Sequence, residues 1–244
     1  MLIELVAELT VLVALVLFGD VALKSYVRYR QPWYSQFLLK RRLAVMGLLV
    51  LLIVGAKVFE DVLAQESGVV DRFILTSIRA HMPASLYGFF NAVTVAGSAL
   101  TVVPVAVVAA LGLLMLKRRA EALLITASLA TAASAVYLIK TATGRARPAL
   151  WETEWFWGSS FPSGHTSHTA AVATALALCA GRLWPGCGRW AMALALGWTS
   201  LVALSRLVLG VHWPTDVLAA MCMGTFIALA ISMAIDLRSH AASR

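Results

Sequence analysis

Long apolar runs separated by short polar connections dominate this sequence. A run of about 20 apolar residues is the length that crosses the hydrocarbon core of a bilayer as a helix. Seven runs predict transmembrane helices, at 5–24, 43–59, 97–116, 120–139, 164–183, 188–208 and 214–235. The pattern therefore predicts an all-α, polytopic membrane helical bundle, with no linker or low-complexity segment between the helices.

The first run is the least regular of the seven. Glu4, Glu8 and Asp20 interrupt it, so two interpretations stay open: a true span, or a tilted or interfacial helix. Its acidic beginning differs from the positively charged beginning of a cleavable signal peptide. We therefore expect it to be an additional helix and not a leader.

The longest connection, residues 60–96, contains an amphipathic pattern. Its apolar side chains repeat at helical spacing, namely Val69, Val70, Phe73, Ile74 and Ile78. Asp71, Arg72 and Arg79 fall on the opposite side. This alternation predicts a helix lying in the membrane interface, which either guides a lipid or serves as an anchor.

Composition narrows the class of protein. Hydrophobic residues make up 61% of the 244 residues and charged residues only 13%, whereas a soluble domain is about one-quarter charged. We therefore do not expect a water-soluble fold. The three cysteines are an odd number without CxxC spacing, so they predict packing residues and neither a disulfide framework nor a zinc site.

Basic residues concentrate in alternate loops, at 24–42, 117–119, 182–189 and 238–244. Short loops rich in Lys and Arg face the cytoplasm, so the net charge of +8 indicates membrane topology and anionic lipid and not nucleic acid. We expect a multi-pass protein of the inner (cytoplasmic) membrane. Seven basic residues do not follow this rule, namely Lys57, Arg72, Arg79, Lys140, Arg145, Arg147 and Arg206.

Three polar segments carry the candidate chemistry. They are KTATGRARP at 140–148, FPSGHTSH at 161–168 and SRLVLGVHWPTD at 205–216. Each lies where a predicted helix ends or begins, and the predicted topology places all three on the face toward the periplasm or exterior. We therefore expect them to converge at one depth.

The cations in these segments suit the binding of a phosphate ester. Lys140, Arg147 and Arg206 can neutralise its nonbridging oxygens. Ser163 and Gly164 precede an apolar helix, where unpaired backbone N–H groups and the helix dipole favour an anion. Ser163 is open to two interpretations, as a helix N-cap or as a direct phosphate ligand.

The candidate reacting groups are histidines. His212 and Asp216 are four residues apart around Pro214, so a short bend brings the carboxylate to one ring nitrogen and leaves the other free to attack phosphorus. His165 is then the general acid that protonates the departing oxygen and later activates water. His168, one turn further on, is a candidate to support it.

The remaining polar and aromatic residues of these segments are expected to have ordinary roles. Arg145, Glu152 and Glu154 are interpreted as loop charges. Tryptophans at an interface usually form a belt, and this is the prediction for Trp151, Trp155, Trp157 and Trp213. No role is assigned to His81 and His240.

Together the three segments resemble the signature of the type 2 phosphatidic acid phosphatase (PAP2) family. Lys140 to Pro148 is similar to its KxxxxxxRP element, 162–165 is identical to its PSGH element, and 205–216 is similar to its SRxxxxxHxxxD element. The signature also occurs in soluble vanadium haloperoxidases, from which the hydrophobicity of this chain separates it.

The resemblance implies a fold with a six-helix phosphatase core plus one extra N-terminal helix. The domains expected are 1–42, an N-terminal helix with a basic cytoplasmic loop, 43–236, the phosphatase core, and 237–244, a cytoplasmic tail. It implies hydrolysis of a terminal phosphate of a phospholipid or polyprenyl diphosphate, without metal or other cofactor, through a phosphohistidine.

The resemblance also implies a role for each site residue. His212 is the nucleophile, Asp216 its partner and His165 the acid and base; the phosphate ligands are Lys140, Arg147, Ser163, Gly164 and Arg206. The expected partners are a lipid phosphate substrate and membrane lipids, with no nucleic acid. A lipid phosphotransferase using the same site is the alternative; a transporter is disfavoured because the polar groups lie at one membrane face and no internal repeat is present.

Overall fold

The computed structural model describes residues 2–30, 34–153 and 158–242, in which every regular element is helical. The α-helices, in chain order, are α1 Leu2–Arg30, α2 Ser35–Lys40, α3 Arg42–Leu63, α4 Gly68–His81, α5 Tyr87–Ala96, α6 Ala99–Met115, α7 Arg119–Thr143, α8 Gly164–Leu183, α9 Gly188–Val208 and α10 Pro214–Ala242. Short 3₁₀ turns at Ala84–Leu86 and Pro185–Cys187 precede α5 and α9. The prediction of an all-α membrane bundle is confirmed.

Each of the seven predicted spans corresponds to one helix: α1, α3, α6, α7, α8, α9 and α10. The limits differ most at the chain ends, since α1 continues to Arg30 and α10 to Ala242. Within the described residues, α3, α7, α9 and α10 are long and apolar enough to cross a membrane, and α5 with α6 forms a fifth span if the pair, bent by 46°, is counted as one. The apolar helices themselves therefore support the multi-pass assignment.

Helix α8 is more polar than its neighbours and lies at the centre of the bundle. It packs against α7, α9 and α10, and its small residues Ala170, Ala171 and Ala175 are fully buried. Gly224 of α10 lies so close that a Cβ there would stand 2.4 Å from the Ser167 carbonyl oxygen. Small residues let membrane helices approach closely, so neighbouring helices cover the polar positions of α8.

The N-terminal helix docks on the core through charged groups. Asp20 of α1 accepts a 2.8 Å hydrogen bond from Arg42 and forms a 2.8 Å ion pair with Lys24. At the same end of the molecule, Asp236 of α10 pairs with Arg41 at 2.6 Å and with Arg182 at 2.8 Å. The extra helix is thus joined to the six-helix core, α3 and α6 to α10.

The opposite end of the bundle carries the predicted chemistry. Helix α7 ends at Gly144, whose φ of +58° is a left-handed conformation favoured by glycine. Helix α8 begins at Gly164, and α10 begins with Pro214, a residue suited to the first helical turn. These three helix ends lie at one end of the bundle because successive core helices are antiparallel.

Candidate active site

Hydrogen bonds to backbone carbonyls hold the three predicted segments together. The Ser163 N–H donates to the Asp216 carbonyl at 3.2 Å, which joins the second segment to the third. Arg147 donates from Nη1 to the Val211 carbonyl at 2.9 Å, which joins the first segment to the third. The expectation that the segments lie side by side therefore agrees with the geometry.

His212 and Asp216 form a buried pair. His212 is 2% exposed and Asp216 is fully buried, and the distance between His212 Nδ1 and Asp216 Oδ2 is 3.2 Å. The same carboxylate oxygen accepts the backbone N–H of Trp213 at 2.8 Å. Because an ionised carboxylate only accepts hydrogen bonds, its partner Nδ1 carries the proton.

The second ring nitrogen of His212 faces a cation. Arg147 Nη1 lies 3.4 Å from His212 Nε2, and since a guanidinium only donates, Nε2 presents its lone pair. Burial lowers the pKa of His212 to about 4, against the opposite effect of Asp216. The ring is therefore neutral at neutral pH, which is the state that a nucleophile requires.

His165 stands in the first turn of α8 beside this pair. It is close enough to Arg206, His212 and Arg147 to interact with them electrostatically. In the described part of the chain its ring makes no hydrogen bond to protein, so its nitrogens remain available to a bound molecule. His168 interacts electrostatically with Lys140 and lies 3.8 Å from the position of a Cβ on Gly164, which places it behind His165.

The predicted phosphate ligands include three cations that lie close to one another, Lys140, Arg147 and Arg206. Arg206 is 1% exposed and donates to Thr94 Oγ1 at 2.5 Å, while Lys140 donates to the Ser159 carbonyl. Arg147 and Arg206 both act on Lys140 by like-charge repulsion. Burial lowers the pKa of Arg147, although a guanidinium remains charged at neutral pH. An anion bound among these groups would relieve the repulsion.

Ser163 occupies the N-cap position of α8 but does not act as a side-chain cap. Its hydroxyl makes no hydrogen bond to a backbone N–H of the first turn, and it accepts one from Thr166 Oγ1 at 3.1 Å. The first N–H groups of any helix have no partner within the helix. The N-terminus of α8 thus keeps its donors for an anion, and of the two interpretations of Ser163 the geometry favours phosphate contact.

The interpretation of Arg145 as a loop charge was wrong. Its guanidinium bridges two fully buried carboxylates, with Nη1 2.6 Å from Asp216 Oδ1 and Nη2 2.6 Å from Asp71 Oδ2. Asp71 also accepts the Thr215 N–H at 3.0 Å and the Thr215 hydroxyl at 2.7 Å. Arg145 therefore fixes the carboxylate that orients His212.

Helix α4 forms as predicted, and Asp71 is fully buried whereas its apolar residues are exposed. The apolar residues Val69 and Phe73 are 82% and 66% exposed, as expected of a surface that contacts lipid. Asp71, however, points into the bundle and not to water. A signal existed in the sequence, since Arg145 was among the basic residues that topology did not explain, but its partner lies 74 residues away.

The two belt tryptophans that the structure describes also make specific contacts within the protein. Trp213 donates from Nε1 to the Ala146 carbonyl at 3.0 Å and packs under Arg145. Trp151 lines a cavity and packs against Gly210. The predictions for Glu154, Trp155 and Trp157 fall outside the described residues, and Glu152 is exposed at the same cavity.

The three cysteines, His81 and His240 lie away from these segments. Cys179 and Cys222 are buried and Cys187 is exposed, and all three are free thiols. His81 contacts the Ser77 carbonyl of its own helix, and His240 stacks on Phe37. Within the described residues no group of three or more His, Cys, Asp or Glu side chains is arranged to hold a metal ion.

Comparison with known proteins supports the family resemblance. Residues 121–239 match the model of the PAP2 superfamily. Phosphatidylglycerophosphatase B from Escherichia coli (strain K12) and from Shigella flexneri are each 44% identical over 63 residues, which is 26% of this chain and 24% of theirs. The chain thus matches only about a quarter of the length of these relatives.

Solved structures share the fold. The transmembrane PAP2 type phosphatidylglycerolphosphate phosphatase from Bacillus subtilis aligns with a TM-score of 0.68 at 24% identity, over 80% of this chain and 96% of that one. LpxE from Aquifex aeolicus aligns with a TM-score of 0.53 at 21% identity, over 65% and 92%. The region from residue 121 to residue 239, which matches the PAP2 superfamily model, contains all three signature segments.

Proposed function

We propose that this protein is an integral-membrane lipid phosphatase of the PAP2 type that hydrolyses a terminal phosphate of a phospholipid or polyprenyl diphosphate. The proposal depends on one observation: the buried ring of His212 has Nδ1 on the Asp216 carboxylate and Nε2 beside Arg147, among the cations. That arrangement combines a nucleophile with a site for a phosphate anion. The relatives named phosphatidylglycerophosphatase support the same class of substrate.

The proposed reaction has two steps through a phosphohistidine. His212 Nε2 attacks phosphorus, the P–O bond to the leaving group breaks, and protonated His165 gives its proton to the departing oxygen. In the second step His165 takes a proton from water, the water oxygen bonds to phosphorus, and the P–N bond breaks to release phosphate. The negative charge of the bound phosphate favours the protonated ring of His165 before the first step.

The cations would stabilise the charge that develops during transfer. Lys140, Arg147 and Arg206 can contact the equatorial oxygens, together with the backbone N–H groups that follow Ser163. In this scheme Arg147 exchanges its contact with His212 for one with the substrate. No step requires a metal ion, so we propose a metal-independent hydrolase.

A lipid substrate fits the position of the site. The site lies at the ends of membrane-spanning helices, and α4 beside it exposes Val69 and Phe73. We propose that the protein lies in the bacterial inner membrane with this end toward the periplasm, because the basic loops at the other end indicate the cytoplasm. A lipid could then reach the site from the outer leaflet.

The test is phosphate release from a panel of lipids by the protein purified in detergent with EDTA. The panel contains phosphatidate, phosphatidylglycerophosphate and undecaprenyl diphosphate. We expect release from at least one lipid, and a loss of about 10⁴-fold or more in His212→Ala, as for other enzymes without their nucleophile. His81→Ala is the matched control, because His81 is exposed and bonds only to its own helix.

Two results would contradict the proposal. One is the absence of phosphate release from every lipid of the panel. The other is activity that survives in His212→Ala. A substrate labelled in its terminal phosphate also separates hydrolysis from phosphotransfer, since transfer would place the label in a second lipid and not in free phosphate.

A further inference from the structure

A cavity of about 390 Å³ opens beside the phosphate cluster. Arg206 and Thr94 line it on the side of the phosphate cluster, together with Val211, whose carbonyl binds Arg147. Its volume equals roughly 13 water molecules at about 30 Å³ each. The cavity therefore has room for a polar group attached to the phosphate that Arg206 contacts.

Arg79 lines the same cavity on the side of α4. Its guanidinium donates to the Tyr87 hydroxyl and lies over two aromatic rings, 5.1 Å from the centroid of Tyr87 and 5.3 Å from that of Trp151. These contacts join the last turn of α4 to α5 and to the loop before α8. The side chain is therefore held at a defined place although α4 ends at the molecular surface.

The charge of Arg79 is not neutralised by protein in the described part of the chain. Tyr87 is its only hydrogen-bond partner there, which occupies one of five N–H donors. Glu152, the one described carboxylate in the lining, is exposed and forms no ion pair with Arg79. The guanidinium groups of Arg79 and Arg206 therefore line the same cavity, together with neutral polar residues such as Asn91.

We propose that Arg79 binds a second phosphate of the substrate, the one between the scissile phosphate and the lipid, and so sets the preference of the enzyme for two-phosphate lipids. A planar guanidinium matches the oxygens of a phosphate in a bidentate manner. While the terminal phosphate contacts Arg206, the inner phosphate of a diphosphate or of a phosphoglycerol lies toward Arg79. Phosphatidate has no inner phosphate. The inference rests on the proposed function and names its substrate class.

The experiment compares two lipids with the same acyl chains, phosphatidylglycerophosphate and phosphatidate. The measured quantity is the ratio of their kcat/KM values, because any general effect on the site cancels in the ratio. We expect wild type to prefer phosphatidylglycerophosphate and the ratio to fall about 10- to 100-fold in Arg79→Gln, as expected when a charged hydrogen bond is lost. Arg79→Lys should retain part of the preference.

Arg72→Gln is the matched control. Arg72 carries the same charge on the same helix and is exposed away from the cavity, so we expect its ratio to equal that of wild type. If Arg79 only anchors α4, both lipids lose rate equally in Arg79→Gln. An unchanged ratio in Arg79→Gln, or a wild-type preference for phosphatidate, overturns the inference while the proposed function stands. Absence of release from both lipids in wild type overturns the inference, and absence of release from undecaprenyl diphosphate as well overturns the proposed function with it.

Discussion

Arg145 and Arg147 stand two residues apart in one loop but lie in opposite electrostatic surroundings. Arg145 bridges the carboxylates of Asp71 and Asp216, each at 2.6 Å. Arg147 contacts only neutral groups in the hydrogen bonds described above, the Val211 carbonyl and the His212 ring. The first region joins its cation to two carboxylates, whereas the second gathers Lys140, Arg147 and Arg206 close enough for the two arginines to repel the lysine.

This difference separates scaffold from binding site. A buried charge is tolerated when it is paired and hydrogen-bonded, so the region around Arg145 is complete without substrate. The cations around His212 repel one another, and an anion completes their surroundings. Asp216 belongs to both regions, because one oxygen binds Arg145 and the other binds His212.

The largest effect on stability should follow from removing the charge of Arg145. In Arg145→Gln two buried carboxylates lose their cation, and we expect the free energy of unfolding to fall by about 3–5 kcal/mol. The measurement is unfolding in mixed micelles of increasing SDS content, with the thermal midpoint in detergent as a second readout. Asp71→Asn combined with Arg145→Gln should restore part of the loss, since one unpaired charge is then removed. A loss below about 1 kcal/mol in Arg145→Gln would show that the pairs contribute no more than surface pairs.

A substitution among the cations around His212 should instead affect catalysis. In Arg147→Gln we expect kcat/KM for the preferred lipid to fall by about 10²- to 10³-fold, as when one donor to a developing charge is removed. The thermal midpoint should change less than in Arg145→Gln, because the hydrogen bonds described for Arg147 go to the Val211 carbonyl and the His212 ring and not to a carboxylate. The same two assays on Arg145→Gln and Arg147→Gln sharpen the comparison. Equal destabilisation of the two variants would refute the division into scaffold and binding site.

The smallest effect concerns the protonation of His212 as the pH falls. Burial lowers the pKa of His212 from 6.5 to about 4, so its ring should stay neutral as the pH falls from 7 to 5. In the unfolded chain the same ring takes up a proton near pH 6.5, so its contribution to stability is lost as the pH falls from about 6.5 toward 4. NMR of labelled histidine, assigned with His212→Ala, should show no titration of this ring above pH 5. A midpoint near 6.5 would contradict the buried, neutral nucleophile.

Most of the fold could be predicted from the sequence because hydrophobic run length is a local property. The predicted limits of α8 and α9 equal those in the structure, since polar signature residues border both runs. The predicted C-terminal limit of α10 was too early, since the helix continues to Ala242. Alternating apolar and polar residues extend it beyond the hydrophobic run.

The candidate site was predicted as a set of residues but not as a network. His212 and Asp216 are four residues apart, so their contact follows from one turn of chain. The partners of Arg145 and Arg79 do not follow in this way. Nothing local to Arg145 indicates Asp71, and nothing local to Arg79 indicates Trp151.

The sequence by itself determined the helices, the membrane class and the candidate reacting groups, because each depends on residues within one run or one turn. Only the tertiary structure decided which cation pairs with two buried carboxylates and which cations gather around His212. The physical reason is that neutralisation depends on the few ångströms between two side chains. In this chain those side chains come from helices and loops far apart in sequence, as the 74 residues between Asp71 and Arg145 illustrate.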